Sequence, residues 1–181
     1  MDYHWLELCK AGETSATERL IQEYQKDVYR LALSILEDPD EAEEGAQEVF
    51  IAALRALDSF RIDSSFKTWI FSITINICRN RLRRRRARER LKQITYGLFY
   101  IQSKNNHLPE ETAIQNEADE IMQRAIRSLN DKHRLPIILR YYHDLSVAEI
   151  AETLHIPQGT VHSRLNTARE RLRRILKERP E

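Results

Sequence analysis

Apolar residues return every three or four positions along most of this chain, and that spacing commits the backbone to helices. Strictly alternating runs and hairpin dipeptides are few, and only four glycines and five prolines stand among 181 residues to interrupt the pattern. We therefore expect an all-α protein. A first helical stretch follows Asp2. A second is expected near Ser15, where Ser15 and Glu18 have capping-box spacing ahead of Leu20, Ile21, Tyr24, Val28, Leu31 and Ile35. Asp38, Pro39 and Asp40 stop that helix and start the next, whose stripe is Ala42, Ala46, Val49, Phe50, Ala53, Leu54 and Leu57. After a polar loop around Arg61 to Ser65, a further helix carries Trp69, Ile70, Ile73 and Ile77 and runs on into Arg79 to Lys92.

The pattern fails from about Tyr96 to Asn116, where Gly97, Asn105, Asn106 and Pro109 precede a group of acids. Residues 96–116 are therefore expected to link a small helical domain of residues 1–95 to another of residues 117–181. In the second domain Ala118, Ile121, Met122, Ala125, Ile126 and Leu129 mark one helix, and Leu135 through Tyr142 a second with Pro136 tolerable in its first turn. Ser146 and Glu149 again have capping-box spacing, ahead of Val147, Ile150, Ala151 and Leu154. His155, Ile156 and Pro157 break that pattern, and Val161, Leu165, Ala168, Leu172 and Ile175 resume it.

A short helix, a tight turn and a longer helix make the sequence form of a helix-turn-helix. Its second helix enters the major groove, so the early residues off the apolar stripe must be polar enough to meet base edges or phosphates. Gln158, Thr160, His162, Ser163, Arg164 and Asn166 satisfy that demand, and Arg169, Arg173 and Arg174 could add backbone contacts. An exposed helix face is polar in any case, and arginines near a helix C-terminus also suit its dipole, so spacing alone leaves both readings open.

Net charge is only +1, but the charges are segregated. Arg79, Arg81, Arg83, Arg84, Arg85, Arg86, Arg88, Arg90 and Lys92 form a run with Glu89 its only internal acid. Such a helix, read as basic all round, is expected to face solvent or a polyanion, and phosphates are the common partner. Asp40, Glu41, Glu43, Glu44 and Glu48 cluster on an earlier helix, where DNA would be repelled and a basic protein surface attracted. Acids at a helix start also complement its dipole.

Cys9 and Cys78 lie far apart without a C-x-x-C partner, which points away from disulfides and zinc and towards a reducing compartment. No apolar run approaches the roughly 20 residues of a membrane span, and the N-terminus lacks a signal-peptide layout, so cytoplasmic residence without membrane insertion is expected. His4, His107, His133, His143, His155 and His162 are scattered, with no H-E-x-x-H and no glycine-rich phosphate loop. No catalytic residue, metal or cofactor is expected.

The order of motifs carries a resemblance. The run from Asp40 through Glu41, Ala42, Glu43, Glu44, Gly45, Ala46, Gln47, Glu48 and Val49 to Phe50, then Phe66-Lys67-Thr68-Trp69-Ile70, Asn76 and Arg79 to Arg86, resembles region 2 of a bacterial RNA polymerase sigma factor. Leu129-Asn130-Asp131, the stretch Leu145 to Ala151 and the stretch Ile156 to Leu165 resemble region 4. With no further domain evident, the chain is similar to the extracytoplasmic-function group.

The resemblance implies that Asp40, Glu41, Glu43, Glu44, Gln47 and Glu48 dock on core RNA polymerase. It implies that Arg61, Asp63, Ser64, Ser65, Lys67, Asn76, Arg79, Asn80 and Arg83 hold the minus-10 promoter element, the loop at Arg61 to Ser65 accepting a base turned out of the stack, with Trp69 in the core. Gln158, Gly159, Thr160, His162, Ser163, Arg164, Asn166 and Arg169 would read the minus-35 element as duplex. The partners implied are core polymerase, promoter DNA and an anti-sigma factor, with the acidic stretch Glu110 to Glu120 threading between the domains. The family usually has Asp at Glu44, an aliphatic residue at Gly45 and often Lys at His162. A helix-turn-helix repressor or activator would need only the C-terminal half, and would leave the acidic helix and the arginine run unexplained.

Overall fold

The computed structural model describes residues 4–60, 65–96 and 117–177, and every regular element among them is a helix. In chain order these are α1 (His4–Lys10), α2 (Thr14–Leu36), α3 (Pro39–Arg55), a 3-10 turn (Leu57–Ser59), α4 (Phe66–Tyr96), α5 (Glu117–Arg127), α6 (Asp131–Tyr141), α7 (Val147–Leu154) and α8 (Gln158–Lys177). The all-α expectation holds. The expected linker lies outside the described residues beyond Tyr96. By their contacts the described residues group into two compact units: one takes everything up to Phe60 together with α4 from Ile73, the other takes α4 up to Ser72 together with α5 to α8.

In the first unit α2 and α3 fold back on each other across a two-residue joint. Glu37 ends α2 in the left-handed region (φ 58°), donating its N–H to the Leu33 carbonyl, and Asp38 caps α3 by accepting the Glu41 N–H at 2.9 Å. Pro39 lacks an N–H and follows this cap, where a helix can spare one. Leu20, Val28, Leu31, Ala32, Ile35 and Leu36 of α2 then meet the stripe Ala42, Ala46, Val49, Phe50 and Ala53 of α3. The start of α2 differs from expectation: Glu13 stands at the cap position without a side-chain cap bond, and Ser15 Oγ donates to Glu13 Oε1 at 2.8 Å, so there is no capping box with Glu18. Cys9 and Cys78 are both free and buried, and burial pushes the Cys78 thiol up to about 12.

On α4 the expected stripe of Trp69, Ile70, Ile73 and Ile77 holds at Ile70 alone. Ile70 and Phe71 are buried before the unit boundary, and Thr74, Ile75, Cys78 and Leu82 after it, while Trp69, Ile73 and Ile77 are half-buried. Trp69 is therefore no core residue; its ring tilts against Phe66 at 5.2 Å. A threonine hydroxyl contributes to the shift at the start of the helix. Thr68 buries its side chain by donating to the Ser65 carbonyl at 2.7 Å, so a polar residue takes an inward position that a count of apolar side chains overlooks.

In the second unit α8 touches α5, α6 and α7, and buries Val161, Leu165, Ala168 and Leu172 against them. α6 begins at Asp131, so Pro136 sits inside the helix rather than in its first turn and removes the N–H that would meet the Lys132 carbonyl. The Ser146 and Glu149 capping box is present, with Ser146 N–H donating to Glu149 Oε2 at 2.8 Å and Glu149 N–H to Ser146 Oγ at 3.2 Å. A hydrogen bond from the Ser146 side chain, then the one from the Ser146 N–H, ahead of the nearby Lys67 charge, hold the Glu149 carboxyl below its ordinary range. His155 ends α7 in the left-handed region (φ 52°), and Ile156 N–H closes back onto Ala151.

Two outcomes are expected. At Gly45 an added Cβ would meet Leu36 Cδ1 at 3.4 Å and Arg81 Cδ at 3.8 Å, both ordinary contacts. Gly45→Ala should stabilise the protein by about 0.5–1 kcal/mol, read as a higher urea midpoint at unchanged m-value. Burial, then the charges of Arg171, Lys132 and Arg164, lower the pKa of His133, whose Nδ1 lies 2.6 Å from Asn130 Oδ1. An unfolded chain takes up that proton first, so stability should fall as pH drops below the ordinary imidazole value of about 6.5. His133→Gln should blunt the fall in pH-dependent melts.

Candidate functional site

The buried stripe of α3 turns Asp40, Glu43, Glu44, Gln47 and Glu48 outward, with Glu41 half-buried beside them. Three of the acids are already engaged. Arg81 of α4 grips Glu48 with both arms of its guanidinium, Nη2 to Oε1 at 2.7 Å and Nε to Oε2 at 3.4 Å, and reaches Glu44 Oε2 through Nη1 at 3.1 Å. Its side chain is only 16% exposed, and the Glu48 bond, foremost, raises its pKa. One turn on, Arg85 meets Glu41 Oε2 and the Leu36 carbonyl, each at 3.4 Å. Asp40, Glu43 and Gln47, at i, i+3 and i+7, keep their outward face for solvent or a partner. Ile51, four residues past Gln47, stands 52% exposed at the end of that row.

The rest of the arginine run does face outward: Arg79, Arg83, Arg84, Arg86, Arg88 and Arg90 are exposed. Asn76, Arg79, Asn80 and Arg83 share one side of α4 by helical spacing, and Arg83 Nη2 donates to Asn80 Oδ1 at 3.0 Å. The run is not basic all round, because Leu82 continues the buried stripe and Arg81 and Arg85 turn to α3.

In the second unit the turn at His155 to Pro157 launches α8 with Gln158, Gly159, His162, Ser163, Asn166 and Arg169 exposed opposite the buried stripe, and Thr160 and Arg164 half-buried at its edges. An added Cβ at Gly159 would meet nothing within 4 Å, so the fold places no demand for glycine there. Arg169 donates through Nε to Tyr141 Oη at 2.9 Å and through Nη1 to Asn166 Oδ1 at 3.1 Å.

A family model described as Sigma-70 region 2 matches residues 20–88, and one described as Sigma-70, region 4 matches residues 125–174. The ECF RNA polymerase sigma factor SigW of Bacillus subtilis is 35% identical over 174 residues, which cover 93% of each chain. This chain belongs to the sigma-70 family, in its extracytoplasmic-function group. The RNA polymerase sigma-H factor of Pseudomonas aeruginosa is 32% identical, over 97% of this chain and 93% of its own. Among solved structures, the sigma factor RpoE of Bartonella quintana, in complex with the anti-sigma factor NepR, superposes with a TM-score of 0.65 at 26% identity, covering 90% of this chain and 98% of that one. CnrH, in complex with the cytosolic domain of CnrY, shares the fold with a TM-score of 0.70 at 22% identity, covering 99% of both chains.

The residues expected to act in this sigma factor are distributed unevenly. Of the docking set, Asp40, Glu43 and Gln47 are open, and Glu41, Glu44 and Glu48 are shared with arginines. Of the minus-10 set, Arg61, Asp63 and Ser64 lie outside the described residues, and Ser65 accepts from Thr68. Lys67 belongs to the second unit, where its Nζ is 3.5 Å from the His143 carbonyl and 5.5 Å from the Phe71 ring centroid. The minus-35 set stands together on α8. Sequence reasoning missed Ile51, although its place off the apolar stripe of α3 marks it. It also missed Tyr141, which nothing in the spacing singles out. Among the described residues no His, Cys, Asp and Glu cluster could hold a metal, and no helix is long and apolar enough to cross a membrane.

Removing the shared arginine should cost the fold. Arg81→Ala leaves Glu44 and Glu48 repelling each other at i and i+4, and is expected to lower stability by about 1 kcal/mol. Arg81→Lys should restore only part of that in urea melts, because a point charge cannot grip both oxygens of Glu48.

Proposed function

We propose that this sigma factor docks on core RNA polymerase through the outward row Asp40, Glu43 and Gln47 of α3, with Glu41, Glu44 and Glu48 alongside and Ile51 at its end, and carries the polymerase to promoters. In this reading the loop from Arg61 to Ser65, Lys67 and the α4 residues Asn76, Arg79, Asn80 and Arg83 hold the opened minus-10 strand. Turning a base out of the stack costs a few kcal/mol, which phosphate contacts from arginines help offset. Gln158, Gly159, Thr160, His162, Ser163, Arg164, Asn166 and Arg169 read the minus-35 duplex. An open Cβ position at Gly159, in a first turn where glycine has no packing role, suits close approach by a phosphate backbone.

One observation carries the reading. A single chain presents an acid-faced helix and, later, a helix-turn-helix with an outward polar row, in the order in which regions 2 and 4 match. An acidic face repels DNA and attracts a basic protein surface, while the polar row suits a major groove. Residues 1–95 and 117–181 then act as two promoter-binding domains joined by 96–116, and avidity makes the spacing of the two elements part of the specificity. The chemistry of RNA synthesis stays with the polymerase, and the protein works in the cytoplasm. Because the RpoE relative is solved in complex with the anti-sigma factor NepR, we include an anti-sigma factor among the partners.

Purified protein mixed with bacterial core polymerase and promoter-bearing genomic fragments should give discrete transcription starts. Glu43→Ala with Gln47→Ala, which leaves the Arg81 pairs intact, should weaken those starts by roughly tenfold through lost core binding. DNA binding that needs no core, with no initiation from a matched core, would favour the repressor reading instead.

A further inference from the structure

Tyr141 closes α6 with 54% of its surface exposed, beside a recognition helix that already carries the expected DNA contacts. Its hydroxyl accepts the Arg169 Nε–H at 2.9 Å, with the ring centroid 5.9 Å from Cζ. On the other side Asn166 Oδ1 accepts from Arg169 Nη1 at 3.1 Å. Both hydrogen-bond partners are neutral, so no carboxylate in these contacts cancels the charge of Arg169, in contrast to Arg81. A free arginine side chain keeps rotamer freedom that binding must remove, and here part of it is removed in advance. The geometry also leaves the Arg169 Nη2 hydrogens and the hydroxyl hydrogen of Tyr141 as donors on one exposed cluster. Several donors converging on one point suit a phosphate oxygen, which accepts more than one hydrogen bond.

We propose that Tyr141 is a positioning residue for Arg169, and that the pair forms a two-donor clamp for one backbone phosphate of the duplex bound by α8. The inference rests on the reading of α8 as the minus-35 helix. Arg169 stands three turns beyond Gln158, on the same exposed side, where a helix seated by its N-terminal end passes a flanking phosphate rather than a base edge. Tyrosine suits the role because its oxygen accepts from the guanidinium while its own hydrogen remains to be donated.

The test uses the full chain assembled with core polymerase on a promoter duplex, with single phosphates of the minus-35 region replaced in turn by neutral methylphosphonates. Tyr141→Phe keeps the ring and is expected to leave the melting temperature and core binding unchanged while weakening promoter affinity roughly threefold to tenfold. Arg169→Ala should weaken it at least as much and lower the salt slope of log affinity by about 1. The double variant should be no weaker than Arg169→Ala alone. One methylphosphonate position should cost the unaltered protein affinity and cost both single variants little. Arg169→Lys, which keeps the charge without the Nε donor, should behave like Tyr141→Phe. Affinity unchanged by Tyr141→Phe, or losses that multiply in the double variant, would overturn the clamp alone. Promoter affinity indifferent to Arg169→Ala and to Gln158→Ala would overturn the clamp together with the minus-35 reading of α8.

Discussion

Burial of Val161, Leu165, Ala168 and Leu172 against α5, α6 and α7 sets the rotation of α8 about its own axis, and the polar face of the second unit follows from that rotation. A helix anchored along one stripe has to show the opposite one. Gln158, His162, Ser163, Asn166 and Arg169 are exposed together for this reason. The approach of α8 depends in turn on the joint before it, where the left-handed His155 and the Ile156 bond to Ala151 end α7 at a definite point. α6 then adds a side chain that the helix-turn-helix itself lacks, because Tyr141 ends beside Arg169.

The same constraint acts on α3, but there charge completes what apolar burial begins. Ala42, Ala46, Val49, Phe50 and Ala53 orient the helix, and the stem of Arg81 lies beside Gly45. Arg81 and Arg85 then hold Glu41, Glu44 and Glu48, so one unit keeps an acidic row and a basic row without either collapsing onto the other. A net charge of +1 conceals this arrangement, because the sum records none of the separation. Partial neutralisation also sharpens the acidic face: Asp40, Glu43 and Gln47 remain outward, with Ile51 as the apolar end of the row.

Much of this was legible beforehand. The stripes of α2, α3 and α8, the stop at Asp38 to Asp40, the Ser146 capping box and the polar row of α8 all depend on neighbours within a few residues, and local spacing reports such features well. At two places where it misread the chain, a competing local bond was responsible. Glu13 drew the Ser15 hydroxyl away from the expected cap, and hydroxyl-to-carbonyl bonding let Thr68 take an inward place while Trp69 stayed half-buried.

By itself the sequence determined which segments are helices, where most of them begin and end, and which family the order of motifs belongs to, because periodicity, caps and motif order are written along the chain. Only the tertiary structure decided which arginines are spoken for and which acids stay open. Arg81 meets Glu48 across 33 positions, Arg85 meets Glu41 across 44, and Arg169 meets Tyr141 across 28. Pairing at such separations depends on how helices pack, and no pattern read along one helix contains it.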